Sequence, residues 1–176
     1  MQAPAPDRRP AAKTEQIVLF RVGGKLFAIS SGSVQEVRSV DSLSGMSHEL
    51  PQSKVGKVRH FLRRGDRTLF VVDGTAHFGL PAEAPSLVFV LRHTRTALLV
   101  DGIEKMTSIS RLQALSPAFC HEERRWYRGL TAIDQTVVPV VEPDGFLSFE
   151  EQTVLDEIVA AQAQQSEKGR TEEHPA

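Results

Sequence analysis

Ile17-Val18-Leu19-Phe20-Arg21-Val22-Gly23-Gly24-Lys25-Leu26-Phe27-Ala28-Ile29 reads as a strand, a tight turn and a returning strand. β-branched and aromatic residues recur at alternate positions, as they do in half-buried strands. The Gly23-Gly24 pair supplies the positive φ that a tight hairpin turn demands. What decides the fold is that this pattern returns. A shift of 69 positions places Val18, Phe20 and Val22 on Leu87, Phe89 and Leu91, and Ala28 and Ile29 on Ala97 and Leu98. Val34, Val37 and Val40 fall on Ile103, Met106 and Ile109 without a gap.

The register holds to the end of the second unit. Arg59 meets Arg128, Phe61 meets Leu130, Leu69 meets Val138, Val71 and Val72 meet Val140 and Val141, and Asp73 meets Glu142. Few identities survive; the shared property is the apolar pattern that a duplicated fold must keep. Two turns also correspond: Gly65-Asp66 lies between Val58–Leu62 and Thr68–Val72, and its copy is Asp134-Gln135. The copy of Gly23-Gly24 lies at Arg92 to Thr94 and has no glycine, which predicts a longer or differently shaped turn.

Each unit has four or five short strands, too many edges for an open sheet of this size, so closure is expected. The predicted fold class is therefore mainly β: two tandem five-stranded SH3/OB-like β-barrels with a C-terminal α-helix. The ordered body is expected over 16–165, with barrel halves near 16–85 and 86–147 that can exchange strands. Ser148 and Glu151 form a capping box, and Val154, Leu155, Ile158 and Val159 form an apolar stripe, so a helix is predicted over 149–165, packed on a barrel. Residues 1–15 and 166–176 read as loose polar tails. Ser110 to Arg125 reads as a loop with a helical turn.

Composition excludes several functions. With 21 basic and 22 acidic residues the formal net charge is −1, so no overall field recruits nucleic acid or an anionic membrane. No run approaches the roughly 18 apolar residues of a membrane span, and Met1 to Glu15 lacks a signal-peptide core; direct membrane insertion is not expected and the cytoplasm is the expected address. The single cysteine, Cys120, leaves no internal disulfide.

Catalytic and cofactor chemistry find no support. The six histidines lack metal-ligand spacing, so no metal is expected. His121 beside Cys120 does not make a thiol nucleophile and base, because such pairs meet in space rather than in sequence. Asp73 and Glu142 resemble paired carboxylates, yet their equivalence under the repeat makes them strand-end residues that satisfy local backbone donors. No phosphate loop or dinucleotide fingerprint is present, and no cofactor is expected. Small barrels also bind single-stranded nucleic acid. Trp126 and Tyr127 among Arg124, Arg125 and Arg128, with Arg59, His60, Arg63, Arg64 and Arg67, define that rival reading.

Ile17 to Ile29 followed by Val34-Gln35-Glu36-Val37, with Tyr127-Arg128-Gly129-Leu130-Thr131-Ala132-Ile133 and Val137 to Glu142 later, resembles the CheW-like family of chemotaxis coupling proteins. The resemblance spans roughly Gln16 to Leu147. It implies two five-stranded barrels with a shared apolar interface and a non-catalytic adaptor that couples chemoreceptors to a histidine kinase. One barrel would contact the CheA-like regulatory domain, a groove between barrels would take the chemoreceptor cytoplasmic tip, and the protein would work at membrane-associated receptor arrays. Glu36 matches the acidic residue of the family's V-x-E-V segment, with Arg63 or Arg64 as its expected partner. Val34, Val37, Val71 and Val140 complete the receptor or kinase interface candidates. Arg59 to Asp66 departs from the family pattern, with His60 in place of glycine, Arg63 in place of asparagine and Phe70 in place of a proline that Pro139 retains. The departure points to a CheW-like scaffold in a specialised motility or other non-chemotactic pathway as the alternative.

Overall fold

The computed structural model describes residues 13–51 and 53–172. In chain order the first unit contributes β1 (Glu15–Val22), β2 (Lys25–Ser30), β3 (Val34–Ser39), β4 (Ser47–Glu49), β5 (Val58–Arg64), β6 (Arg67–Asp73) and the short helix α1 (Gly74–Phe78). The second contributes β7 (Leu87–Leu91), β8 (Thr96–Val100), β9 (Gly102–Ile109), a helical turn α2 (Glu123–Trp126), β10 (Tyr127–Ile133) and β11 (Thr136–Val141), followed by α3 (Phe149–Glu172). Shifting β5 by the repeat lands on β10 to the residue. The elements are those the repeat predicts, but their pairing crosses between the units.

One sheet runs β10-β11-β2-β1-β9, the other β3-β7-β8-β6-β5-β4. Each combines the first hairpin of one unit with the second hairpin and third strand of the other. Each sheet therefore draws its strands from both 16–85 and 86–147. Apart from β4, which has no copy and makes the second sheet six-stranded, the same strand order under the 69-residue shift makes the two sheets pseudo-twofold copies. Phe20 and Phe89, equivalent in the repeat, meet edge to face with ring centroids 5.3 Å apart, so the pseudo-axis passes between them.

Alternation along β1 shows why its apolar run is unbroken. Val18, Phe20 and Val22 point into a large core shared by both sheets, whereas Ile17 and Leu19 point into a small core belonging to their own sheet with Ala28, Ile109, Val138 and Val140. The other sheet has a matching private core that includes Val88, Ala97, Leu69 and Val71. Each sheet thus wraps its own apolar filling, as a small barrel does. Among the described residues neither ladder closes fully: β3 and β4 stay unpaired with each other, as do β9 and β10, where the bridge of Gln113 to Leu130 joins the segment after β9 to β10.

The turns obey local sterics. Gly23 and Gly24 have φ of 55° and 75°, and their copy is the longer connection from Arg92 to Arg95, where His93 reaches 60°. Asp134 and Gln135 hold φ of 49° and 66° without glycine. Gly129 is needed for close approach, since a Cβ there would lie 2.5 Å from the Gln113 carbonyl oxygen. In the other sheet His60 holds that place and pairs in a regular ladder with Glu49, which leaves room for its side chain.

Helix α3 begins with the predicted reciprocal cap: Ser148 N–H donates to Glu151 Oε2 at 2.8 Å, and Glu151 N–H donates to Ser148 Oγ at 3.1 Å. Leu155 and Val159 are buried in the shared core, with Val154 and Ile158 packed beside them. The helix continues to Glu172, seven residues past its expected end at Gln165, carrying Gly169 within it. A single glycine costs only about 1 kcal/mol relative to alanine and need not stop a helix. At the other end β1 starts at Glu15, inside the expected tail, because Arg128 holds the Glu15 carboxylate at 2.6 Å. The rest of that tail, 1–12, and the end of the other, 173–176, lie outside the described residues. Among the described residues no helix is long and apolar enough to cross a membrane.

Candidate partner-binding interface

Strand β3 is a sheet edge: among the described residues it pairs antiparallel with β7 alone, and no strand is hydrogen-bonded to its other side. Such an edge is a ready docking place unless charge or burial guards it. Here the sequence alternates Val34, Glu36 and Arg38, half-buried, with exposed Gln35, Val37 and Ser39. Glu36 reaches across the open side to Arg64 at the end of β5 and also holds Arg38 Nε at 3.1 Å. The Glu36 and Arg64 side chains are each about a third exposed, so the pair is a partly solvated surface clamp. Val37, 43 % exposed, stands beside it.

The structure divides the seven predicted site residues. Val34, Glu36, Val37 and Arg64 come together on or against the β3 edge. Arg63 points elsewhere: its guanidinium lies 5.8 Å from the Phe61 ring centroid, in a groove that β5 shares with α3. Val71 and Val140, 4 % and 0 % exposed, fill the two private cores and offer no surface to a partner. Both sheet faces are buried there, so outward and inward valines look alike in sequence. Arg38 was missed, although residues two apart on a strand share a face and Glu36 therefore had a second cation within reach.

The aromatic cluster is structural. Trp126 packs on His77 at 4.4 Å, and Tyr127 stacks on Phe78 at 6.1 Å, so neither ring is a free platform for bases. Burial pushes the Tyr127 hydroxyl up to about 12, helped by Glu123. His77 is buried with Nδ1 3.2 Å from Lys57 Nζ and Nε2 unpartnered; burial, and then the Lys57 charge, pull it down to about 3, so its ring is neutral at pH 7. Lys57 also pairs with Glu151 at 3.3 Å, tying the start of α3 to the sheet. A Cβ on Gly145 would collide with the Arg125 carbonyl oxygen, so the missing side chain lets α2 sit against the turn that precedes α3.

The carboxylates and the cysteine also have local work. Asp73 Oδ1 caps α1 by accepting from Thr75 N–H at 3.0 Å, whereas Glu142 makes no capping bond. Cys120 is exposed; its N–H donates to Glu123 Oε2 at 2.8 Å, and its sulfur accepts from Glu123 N–H at 3.5 Å, a cap for α2. Among the described residues no group of three or more His, Cys, Asp or Glu is placed to hold a metal ion.

A duplicated, strand-exchanged pair of sheets with a C-terminal helix is a specific architecture, and the sequence matches the CheW-like domain family over residues 16–151. The chain belongs to the CheW-like family. Two curated relatives align over about three quarters of the chain. A probable chemotaxis protein CheW of Rhizobium etli is 25 % identical over 140 residues, covering 76 % of this chain and 87 % of that protein. The chemotaxis protein CheW of Rhizobium meliloti is 27 % identical over 143 residues, covering 77 % and 89 %. Among solved structures, the scaffolding protein TtCheW of Thermoanaerobacter tengcongensis superposes with a TM-score of 0.65 at 15 % identity, covering 84 % of this chain and 96 % of that one. At that identity the superposition speaks for the CheW-like fold, not for its contacts. Within this CheW-like chain, the β3 edge is where exposed apolar and charged groups adjoin an open strand.

Proposed function

We propose that this chain is a non-catalytic coupling adaptor that joins chemoreceptors to a CheA-type histidine kinase in chemotaxis signalling, working in the cytoplasm at membrane-associated receptor arrays. Membership of the CheW-like family over residues 16–151 carries the proposal. The site chemistry agrees with it. Exposed Val37 provides an apolar anchor, the Glu36, Arg38 and Arg64 group provides a polar rim, and the free side of β3 provides backbone donors and acceptors. Interfaces of this make-up concentrate affinity in a few desolvated anchors while the rim sets orientation. Val34, Glu36, Val37 and Arg64 are the residues assigned to the kinase regulatory domain and the receptor tip, the two partners of the adaptor.

The test is affinity capture from the source cells with the tagged chain, followed by mass spectrometry of what is retained. Recovery of both a histidine kinase and a methyl-accepting receptor supports the adaptor. Recovery of neither overturns it.

A further inference from the structure

The pseudo-twofold offers a comparison of two equivalent surfaces, and they differ in one respect. On the β5–β6 hairpin, Phe61 faces Phe70 across the ladder, on the side away from that sheet's private core. Helix α3 lies over this pair: Leu155 and Val159 join the same core, Gln162 Nε2 donates to the Glu49 carbonyl at 3.1 Å, and Asp156 takes two hydrogen bonds from Arg95, whose guanidinium sits 5.1 Å from the Phe70 ring centroid. On the equivalent β10–β11 hairpin, Leu130 faces Pro139 and Ala132 faces Val137. That surface is open. Val137 is 63 % exposed and Ala132 beside it is exposed, while Leu130 and Pro139 are half-buried.

We propose that the outer face of the β10–β11 hairpin docks an acidic amphipathic helix of a partner protein. The chain itself shows how such a face is satisfied, by apolar side chains four apart on a helix with a carboxylate directed at a strand-end cation. The charges on the open face fit the same scheme. β11 runs parallel to β2 with Val140 opposite Ala28, so Lys25 lies at the height of Val137. Lys25 is exposed, as is Arg111 beside Leu112, and neither takes part in an ion pair among the described residues. Two uncommitted cations flanking an apolar strip favour an anionic occupant. This face is separate from the β3 edge, and the inference stands on the repeat whether or not the adaptor reading holds.

The probe is a synthetic peptide of residues 148–163, the acidic half of α3, titrated into the isotopically labelled full chain and followed by NMR. Saturable shifts at Leu130, Ala132 and Val137 are expected. Val137→Glu, at an exposed position that leaves the fold intact by circular dichroism, should weaken binding at least about tenfold by removing the apolar anchor and setting beside Lys25 a carboxylate that cancels its charge and repels the acidic helix. Lys25→Glu should weaken it about threefold, and a peptide carrying Asp156→Lys should recover the loss. No saturable shift, or shifts confined to Phe61 and Phe70 as the peptide displaces α3, would overturn the proposal. Self-association of the chain alone that disappears in Val137→Glu would also overturn it, by making a second copy the occupant.

Discussion

Glu36 on β3 and Lys105 on β9 hold the same position of the repeat with opposite charge, and each clamps the open side of its sheet. Glu36 takes Arg64 from the end of β5, and Lys105 takes Asp134, 2.7 Å away in the turn after β10. The duplication has kept the clamp and inverted its polarity. The ladders behind them have moved as well: Val37 pairs with Phe89, whereas its copy Met106 pairs with Val18 rather than Phe20. A slip of two residues preserves which side chains face inward, so the small core tolerates it.

Glu36→Arg should weaken binding to an identified kinase or receptor partner at least about tenfold, as loss of a rim charge beside an anchor does. The isolated protein should lose no more than about 1 kcal/mol, because the pair is partly exposed. Calorimetric titration and thermal denaturation read the two effects separately. Full binding by Glu36→Arg would remove Glu36 from the interface.

Phe20→Ala should cost about 3–5 kcal/mol, measured by urea denaturation, because Phe20 is fully buried and meets its own copy Phe89 at the pseudo-axis. A loss below about 1 kcal/mol would contradict that placement.

His77 should make the protein acid-sensitive. Its folded-state pKa is depressed to about 3 from 6.5, so the unfolded chain binds the extra proton and stability falls as pH drops below about 6.5, until the folded form also protonates near pH 3. Between pH 7 and pH 5 the loss from this group is about 2 kcal/mol. Urea midpoints across that range, compared with those of His77→Phe, should show a shallower slope in the variant.

Gly145→Ala should destabilise the chain and perturb Trp126, because a methyl group there meets the Arg125 carbonyl. A change in Trp126 fluorescence is expected, and an unaltered spectrum with unaltered stability would contradict the close approach.

The strands, the repeat and the helix start were legible because each rests on local chemistry: alternation, turn residues at fixed offsets, and the Ser148–Glu151 cap. Pairing was not. A gapless shift says that β5 and β10 are equivalent, but not that β10 joins β2 through β11 in the other unit's sheet, since that choice depends on packing across the pseudo-axis. The site was legible in part. The resemblance pointed Glu36 at Arg63 or Arg64, and the structure pairs it with Arg64. The burial of Val71 and Val140 was not legible, because strands buried on both faces carry apolar residues everywhere, and an aromatic such as Trp126 beside arginines reads alike whether it stacks on a base or on a buried histidine.

Strand exchange also sets a timetable for synthesis. The sheet that opens with β1 near residue 15 takes its last strand at Val141, so the first hairpin to emerge from a ribosome waits for nearly the whole chain before its neighbours exist. Neither sequence half can settle early as an independent module, and a chain cut anywhere between the units leaves two fragments, each holding partners the other needs.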